Sequence, residues 1–287
     1  MSDPFEDLRA PAPRIDPDPL FAERLRDRLA RALLAPERRP EGTTMTTTTD
    51  TTLRNGDVGY ASLRTPDAER AAAFYGTVLG WRIAPGSVPE GRRVEGLSTS
   101  FGIWGGQELG GVFLCFAVDD VAAAVRAVRA GGGSAGEPAR EPYGLISMCT
   151  DDQGLAFAVY EDSGEGTAAA AAGPGEVAYL TIGVPDAARA RAFYGAVLGW
   201  TFAPGRAEDG WRVLHGSGGE LRPMTGLHGG AERPTVVPMY AVADIEDAVA
   251  RVRAAGGTAT APERQPYGIT AECADDQDTR FYLGQLG

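Results

Sequence analysis

From residue 58 onward, short apolar runs of strand length alternate with longer stretches whose apolar positions recur at helical spacing. Val58 to Thr65 is partly alternating and reads as a strand. Pro66-Asp67 then opens a helix, because Asp67 can cap the first turn and Pro66 suits the preceding bend. Ala71, Phe74 and Val78, with Tyr75 and Leu79 beside them, share one face of that helix, and Gly80 stops it before Trp81. Three short strands fit before Gly110. Val112 to Val118 is the next strand, Asp120 to Ala130 a helix with Val121, Val125 and Val128 on its apolar side, and Gly131-Gly132-Gly133 its stop. Strands resume and end at Leu155 to Tyr160. The pattern is βαβββ, twice over.

The same pattern then recurs. Residues 66–81, Pro66-Asp67 through Phe74-Tyr75-Gly76 to Leu79-Gly80-Trp81, reappear at 185–200 with three positions changed, at 69, 72 and 77. Further on, Glu141-Pro142-Tyr143-Gly144 meets Gln265-Pro266-Tyr267-Gly268, and Asp151-Asp152-Gln153 meets Asp275-Asp276-Gln277. One domain has been duplicated, which predicts four βαβββ units in all. The expected division is a leader at 1–54, a first domain at 55–162, a Gly/Ala-rich connector at 163–175 and a second domain at 176–287. In the leader, Phe21, Leu25, Leu29 and Leu33 recur at helical spacing with arginines between them, so an amphipathic helix is expected before Pro36. A Thr-rich linker follows, and Met45 inside it reads as a second candidate start. That segment has three readings: docking on the chain's own domains, serving as an arm for a partner, or disorder.

Composition narrows the partners. A chain of 287 residues with a net charge of −12 repels phosphate backbones and anionic lipid, so neither nucleic acid nor membrane is expected. No apolar run has the length of a spanning helix and the start lacks a secretory pattern, so a cytoplasmic protein is expected. Cys115, Cys149 and Cys273 are odd in number and lack CxxC spacing, which indicates reduced thiols rather than disulfides or a cysteine zinc site.

The run from Tyr60 through Leu63, Pro66-Asp67 and Phe74-Tyr75-Gly76 to Leu79-Gly80-Trp81, repeated from Tyr179 to Trp200, resembles the vicinal-oxygen-chelate superfamily of glyoxalase, bleomycin-resistance and dioxygenase type. Val118-Asp119-Asp120-Val121 and Asp151-Asp152-Gln153-Gly154-Leu155-Ala156-Phe157 resemble the second half of the same domain. The resemblance implies an α+β fold in which tandem domains curl four βαβββ units into two partial barrels around concave cavities. It also implies where metal ligands would stand, and imidazole and carboxylate are the donors a divalent ion needs there. Those positions fall on Tyr60 and Tyr179, Phe113 and Val237, and Ala158 and Tyr282, none of which is His, Gln or a carboxylate. Glu108 and Glu220 lie near a further ligand position. The two histidines, His215 and His228, could form an improvised site only together with Glu220. No bound metal and no cofactor are therefore expected.

Period-two alternation places Ser62 on the face of Tyr60, Thr181 with Tyr179, Cys115 with Phe113, and Met239 with Val237. With Ala158 and Tyr282, and with Trp104, Tyr143, Trp211 and Tyr267 as walls or rim, these residues form an expected lining suited to a flat or hydrophobic small molecule. Three readings follow: a metal-independent binding or sequestering protein, a lyase, dioxygenase or hydroxylase of the family's type, and an adaptor using the leader helix. No histidine stands at a recognisable spacing from Cys115, Cys149 or Cys273 to activate them. Duplication within one chain can replace a homodimer, so a monomer is expected.

Overall fold

The computed structural model describes residues 53–86, 89–108, 110–141, 144–162 and 173–287. The expected leader helix, Met45, Tyr143 and most of the connector lie outside the described residues. In the first copy, β1 (Val58–Arg64), α1 (Ala68–Leu79), β2 (Arg82–Pro85), β3 (Gly91–Glu95) and β4 (Ser100–Trp104) form one unit. The unit that follows comprises β5 (Gly111–Ala117), α2 (Val121–Ala130), β6 (Ser134–Ala135), β7 (Ala139–Glu141), β8 (Gly144–Thr150) and β9 (Ala156–Tyr160). The second copy repeats this order with β10 (Val177–Gly183), α3 (Ala187–Leu198), β11 (Thr201–Pro204), β12 (Gly210–Leu214) and β13 (Met224–His228). It ends with β14 (Thr235–Ala241), α4 (Ile245–Ala254), β15 (Thr258–Ala259), β16 (Glu263–Gln265), β17 (Gly268–Ala274) and β18 (Arg280–Leu286).

Each helix starts where an aspartate supplies the missing acceptor for its first N–H groups. Asp67 accepts from Glu69 and Arg70, Asp120 from Ala123, Asp186 from Arg189 and Asp244 from Asp247. Gly80 and Gly199 end α1 and α3 in the left-handed region, at φ 70° and 68°. The second unit of each copy departs from the expected βαβββ. Its third-last strand is split into two short pieces, β6 and β7 or β15 and β16, both alongside the same neighbour. Pro138 and Pro262 stand between the pieces, and a residue without an N–H interrupts the ladder.

Both units of one copy share one mixed sheet, in the order β2-β3-β4-β1-β5-β9-β8-β6 and, in the second copy, β11-β12-β13-β10-β14-β18-β17-β15. These are two open, curled sheets, the partial barrels of an α+β fold. The helix-covered faces merge into one hydrophobic core that runs through both copies. Tyr75, Trp81 and Phe101 of the first copy meet Tyr240 and Phe281 of the second, while Phe116 and Phe157 of the first meet Phe193, Tyr194 and Trp200.

The repeated Asp-Asp-Gln runs fasten this junction. Tyr194 donates to Asp151 Oδ2 at 2.9 Å, Arg189 pairs with Asp152, and Gln153 exchanges hydrogen bonds with the backbone of Asp186. Symmetrically, Tyr75 donates to Asp275 Oδ2 at 3.1 Å, Arg70 pairs with Asp276, and Gln277 bonds the backbone of Asp67. Burial pushes the phenols of Tyr75 and Tyr194 well above their usual range, so both act as donors. No described helix is long and apolar enough to cross a membrane.

The two copies differ at several positions of this core, Tyr240 among them. Tyr240 takes the place that Phe116 holds in the first copy, fully buried, and among the described residues its hydroxyl has no hydrogen-bond partner. An orphaned buried hydroxyl costs stability, so Tyr240→Phe is expected to stabilise the protein by about 1 kcal/mol, read as a higher urea midpoint at unchanged m. A lower midpoint would show that the hydroxyl is satisfied.

Candidate functional site

On the face of the first sheet opposite the helices, strand register sets one row of side chains across four strands. Tyr60 on β1 is opposite Cys115 on β5, Cys115 opposite Ala158 on β9, and Ala158 opposite Met148 on β8. One step along, Ser62 is opposite Phe113. Phe113, Cys115, Ile146 and Ala158, with Tyr60, Met148, Ala156 and Tyr160 against them, form a hydrophobic cluster separate from the main core. The Tyr60 ring lies across β4, and only a glycine at 102 permits it: a Cβ there would stand 2.3 Å from the phenol oxygen. Gly226 serves Tyr179 in the same way, at 2.1 Å.

The next step along β1 brings Arg64 opposite Trp104 on β4 and Gly111 on β5. Its guanidinium lies over the Trp104 ring, 5.9 Å from the centroid, and its Nε and Nη2 donate to Gln107 Oε1 at 3.2 and 2.9 Å. This face of the first sheet is thus apolar at one end and cationic at the other.

The corresponding face of the second sheet has the same rows with different chemistry. Tyr179 is opposite Met239, Met239 opposite Tyr282, and Tyr282 opposite Glu272; Thr181 is opposite Val237. The Tyr282 hydroxyl donates to Glu272 at 3.4 Å, Arg212 pairs with Glu220 at 3.6 Å, and Arg280 approaches Glu272 at 4.0 Å. Arg206 stands 5.6 Å over the Tyr267 ring, which is 46% exposed at the rim. That contact joins the β11–β12 connection to the β16–β17 turn, near opposite edges of the sheet. Burial raises Tyr179, with Tyr267 and Glu220 adding to the shift, and burial and then Glu272 raise Tyr282, so both phenols remain protonated at neutral pH. Where the first copy has Arg64 and Trp104, this one has Gly183 and His228 at the same register.

The structure brings Tyr60, Ser62, Trp104, Phe113, Cys115 and Ala158 to one face, and Tyr179, Thr181, Val237, Met239 and Tyr282 to its counterpart. Trp211 is a correction to the expected lining. It lies opposite the fully buried Leu227, on the helix-covered face, with Arg191 of α3 3.6 Å over its ring. Alternation along β12 therefore turns Arg212, not Trp211, to the face of Tyr179. The row opposite Tyr60 and Tyr179 contains Cys115 and Met239, with Phe113 and Val237 one step away. Sequence reasoning missed Arg64, although it continues the alternation of Tyr60 and Ser62, and missed Gln107, Glu272, Met148 and Arg212.

A divalent ion does not fit these rows. The first offers a phenol, a thiol, a methyl and a thioether, and burial pushes the Cys115 thiol far above its usual value. The second adds one carboxylate, already bonded to Tyr282. His215 does not join His228 and Glu220: it is buried against Asp57 of the first copy, Nε2 to Oδ1 3.0 Å, while His228 Nδ1 contacts its neighbour's carbonyl, Gly229 O, at 2.8 Å. Among the described residues no three His, Cys, Asp or Glu gather as a metal site.

Residues 57–159 match the Glyoxalase/Bleomycin resistance protein/Dioxygenase superfamily, and residues 179–283 match the Glyoxalase-like domain. The comparison with curated proteins gives no match. Among solved structures, the Mn(II)-bound glyoxalase from Novosphingobium aromaticivorans is similar at 16% identity and a TM-score of 0.63, over 81% of this chain and 82% of that one. The 2,2',3-trihydroxybiphenyl 1,2-dioxygenase from Sphingomonas wittichii strain RW1 is similar at 17% identity and a TM-score of 0.61, over 82% and 91%. The 2,3-dioxygenase LapB from Pseudomonas sp. KL28 gives 16% and 0.58, over 82% and 94%. At such identities the structural likeness speaks for the fold alone. With both halves matching and each folded as two facing units in one curled sheet, the chain belongs to the vicinal-oxygen-chelate superfamily, as a tandem of two of its domains.

Proposed function

We propose that the protein binds a small apolar or aromatic molecule within its curled sheets without a metal ion, a binding or sequestering role rather than turnover. The observation that carries this reading is the row Tyr60, Cys115, Ala158 and its counterpart Tyr179, Met239, Tyr282. These strands are the ones on which the superfamily would place metal ligands, and the row supplies one carboxylate neighbour, Glu272, and no imidazole. The similar solved structures include a glyoxalase and dioxygenases, and those activities belong to those proteins. Against a thiol-based reaction, Cys115 is fully buried, and burial raises Cys149 to about 11 and Cys273 to about 12, so none supplies a thiolate at neutral pH. An apolar floor flanked by protonated phenols and the hydroxyls of Ser62 and Thr181 suits a ligand oriented by one or two hydrogen bonds. The adaptor reading rests on leader residues outside the described ones.

Elemental analysis of the purified full chain and a thermal-shift screen against aromatic compounds test the proposal together. The expected result is substoichiometric Ni, Zn, Fe and Mn after dialysis against a chelator, with a raised unfolding temperature for some apolar aromatics. A ligand present at a hundred times its Kd contributes about 2.7 kcal/mol to stability. Retention of one transition-metal ion per domain would overturn the reading.

A further inference from the structure

We propose that the first copy carries a second kind of site, a cavity between α1 and the β2–β3 hairpin that takes a neutral, flat aromatic molecule bearing a hydrogen-bond donor. The cavity measures about 770 Å³. It is walled by Ala72 of α1, by Trp81, and by Ile83 and Pro85 of the edge strand β2, with Glu69 and Arg92 as its charged lining. Arg92 lies opposite the buried Ile103, so the cavity is on the helix-covered side of the sheet, away from the row of Tyr60 and Cys115. The site is therefore independent of binding within the curled faces.

The duplicated chain shows what fills this place elsewhere. Positions 72 and 92 correspond to 191 and 211, and in the second copy Arg191 holds its guanidinium 3.6 Å from the centroid of the Trp211 ring. A cation from the helix and an aromatic from the strand close the groove from within the chain. In the first copy both have changed. Ala72 brings no more than a methyl group, and the strand residue is now the cation, Arg92. The pair has lost its aromatic member, and the space beside position 72 is open.

A flat ring in that space would restore the pair with its roles exchanged. The Arg92 side chain is only 15% exposed; its Nε and Nη2 donate to Glu69 Oε1, and its Nη1 to the carbonyls of Pro89 and Gly91. Four of its five N–H donors are thus engaged, and what the guanidinium chiefly has left for a ligand is its flat face. Glu69 already supplies the counter-charge, so a ligand carboxylate would meet a carboxylate rather than a free cation. Glu69 is 72% exposed and among the described residues engages only Oε1, which leaves Oε2 to accept an O–H or N–H from the ligand. The second copy has Ala188 at this position, so the acceptor and the open space occur together in the first copy alone.

The test titrates the full chain by calorimetry at neutral pH with 2-naphthol and with 2-methoxynaphthalene, which keeps the rings and lacks the O–H. The wild type is expected to prefer the naphthol by about 10-fold, the worth of a hydrogen bond to a charged acceptor. Glu69→Ala should bring the two probes to about equal affinity. Ala72→Arg combined with Arg92→Trp writes the second copy's own pair into the first, and is expected to remove one naphthol site per chain. Naphthol sites unchanged in number and affinity in the folded double variant would overturn the proposal and leave binding within the curled faces untouched. Two further results would overturn it from the wild type alone, whatever any variant does to folding: no binding of naphthol, or equal affinity for the two probes.

Discussion

Replacing Trp200 with alanine is expected to cost about 3–5 kcal/mol, enough to remove a large part of the stability of a protein this size. The indole is buried and stacks on Tyr194 at 5.2 Å and 29°, meets Phe116 edge-on at 5.2 Å, and donates its N–H to the backbone oxygen of Gly56 at 3.1 Å. Phe116 and Gly56 belong to the other copy, so the substitution opens a cavity and breaks a hydrogen bond at the junction itself. Because the core is continuous across both copies, urea unfolding should remain a single transition whose midpoint falls at nearly constant m. A loss under about 1 kcal/mol, or a split into two transitions with only one moved, would mean that the copies are independently stable units.

That junction shows what can be read from sequence in a duplicated chain. Phe74, Tyr75 and Trp81 announce themselves as core by helical spacing and by recurring as Phe193, Tyr194 and Trp200, and all six are buried. Helix starts at Asp67, at its repeat Asp186 and at Asp120 were legible because a cap is a local event, decided by one side chain and the next three N–H groups. The role of Asp151-Asp152-Gln153 was not. Its partners Tyr194, Arg189 and Asp186 are in the other copy, and a repeat shows that a motif matters without showing what it touches.

The cavity divides along the same line. Period-two alternation brought Tyr60 and Ser62 to one face correctly, since the register of a half-buried strand is fixed by its pattern. It could not say which face of β12 was inward, because Trp211 and Arg212 both have aromatic or cationic claims on a pocket. Only the pairing with Leu227 decides for the helix side. Arg64 escaped notice for a related reason. A polar residue at a strand end reads as solvated surface until the opposing Trp104 and the reach of Gln107 enclose it.

Asp57→Ala is expected to cost roughly 3–5 kcal/mol at neutral pH, because it strands one member of a buried pair. Asp57 is fully buried at the start of the first copy. Its carboxylate lies 3.0 Å from His215 Nε2 and accepts from the backbone N–H of Arg54 at 2.9 Å and from that of Arg222 at 3.3 Å. His215 and Arg222 belong to the second copy, so one side chain stitches the two halves. Burial by itself would raise this carboxyl, yet the bonds from His215 and the two backbone groups outweigh it and hold the group below its ordinary value. A folded-state value below the unfolded one makes the contribution fully present above about pH 4, and it is lost as the pH falls through the lowered folded value. The stability gap between wild type and Asp57→Ala should therefore be widest near neutrality and narrow on acidification below about pH 4. His215→Ala should be costly as well, and the double variant should lose less than the two single losses together, since both remove one interaction. Additive losses, or a gap that stays constant or widens as acid is added, would show that the carboxylate at 57 is held by something other than this contact across the junction.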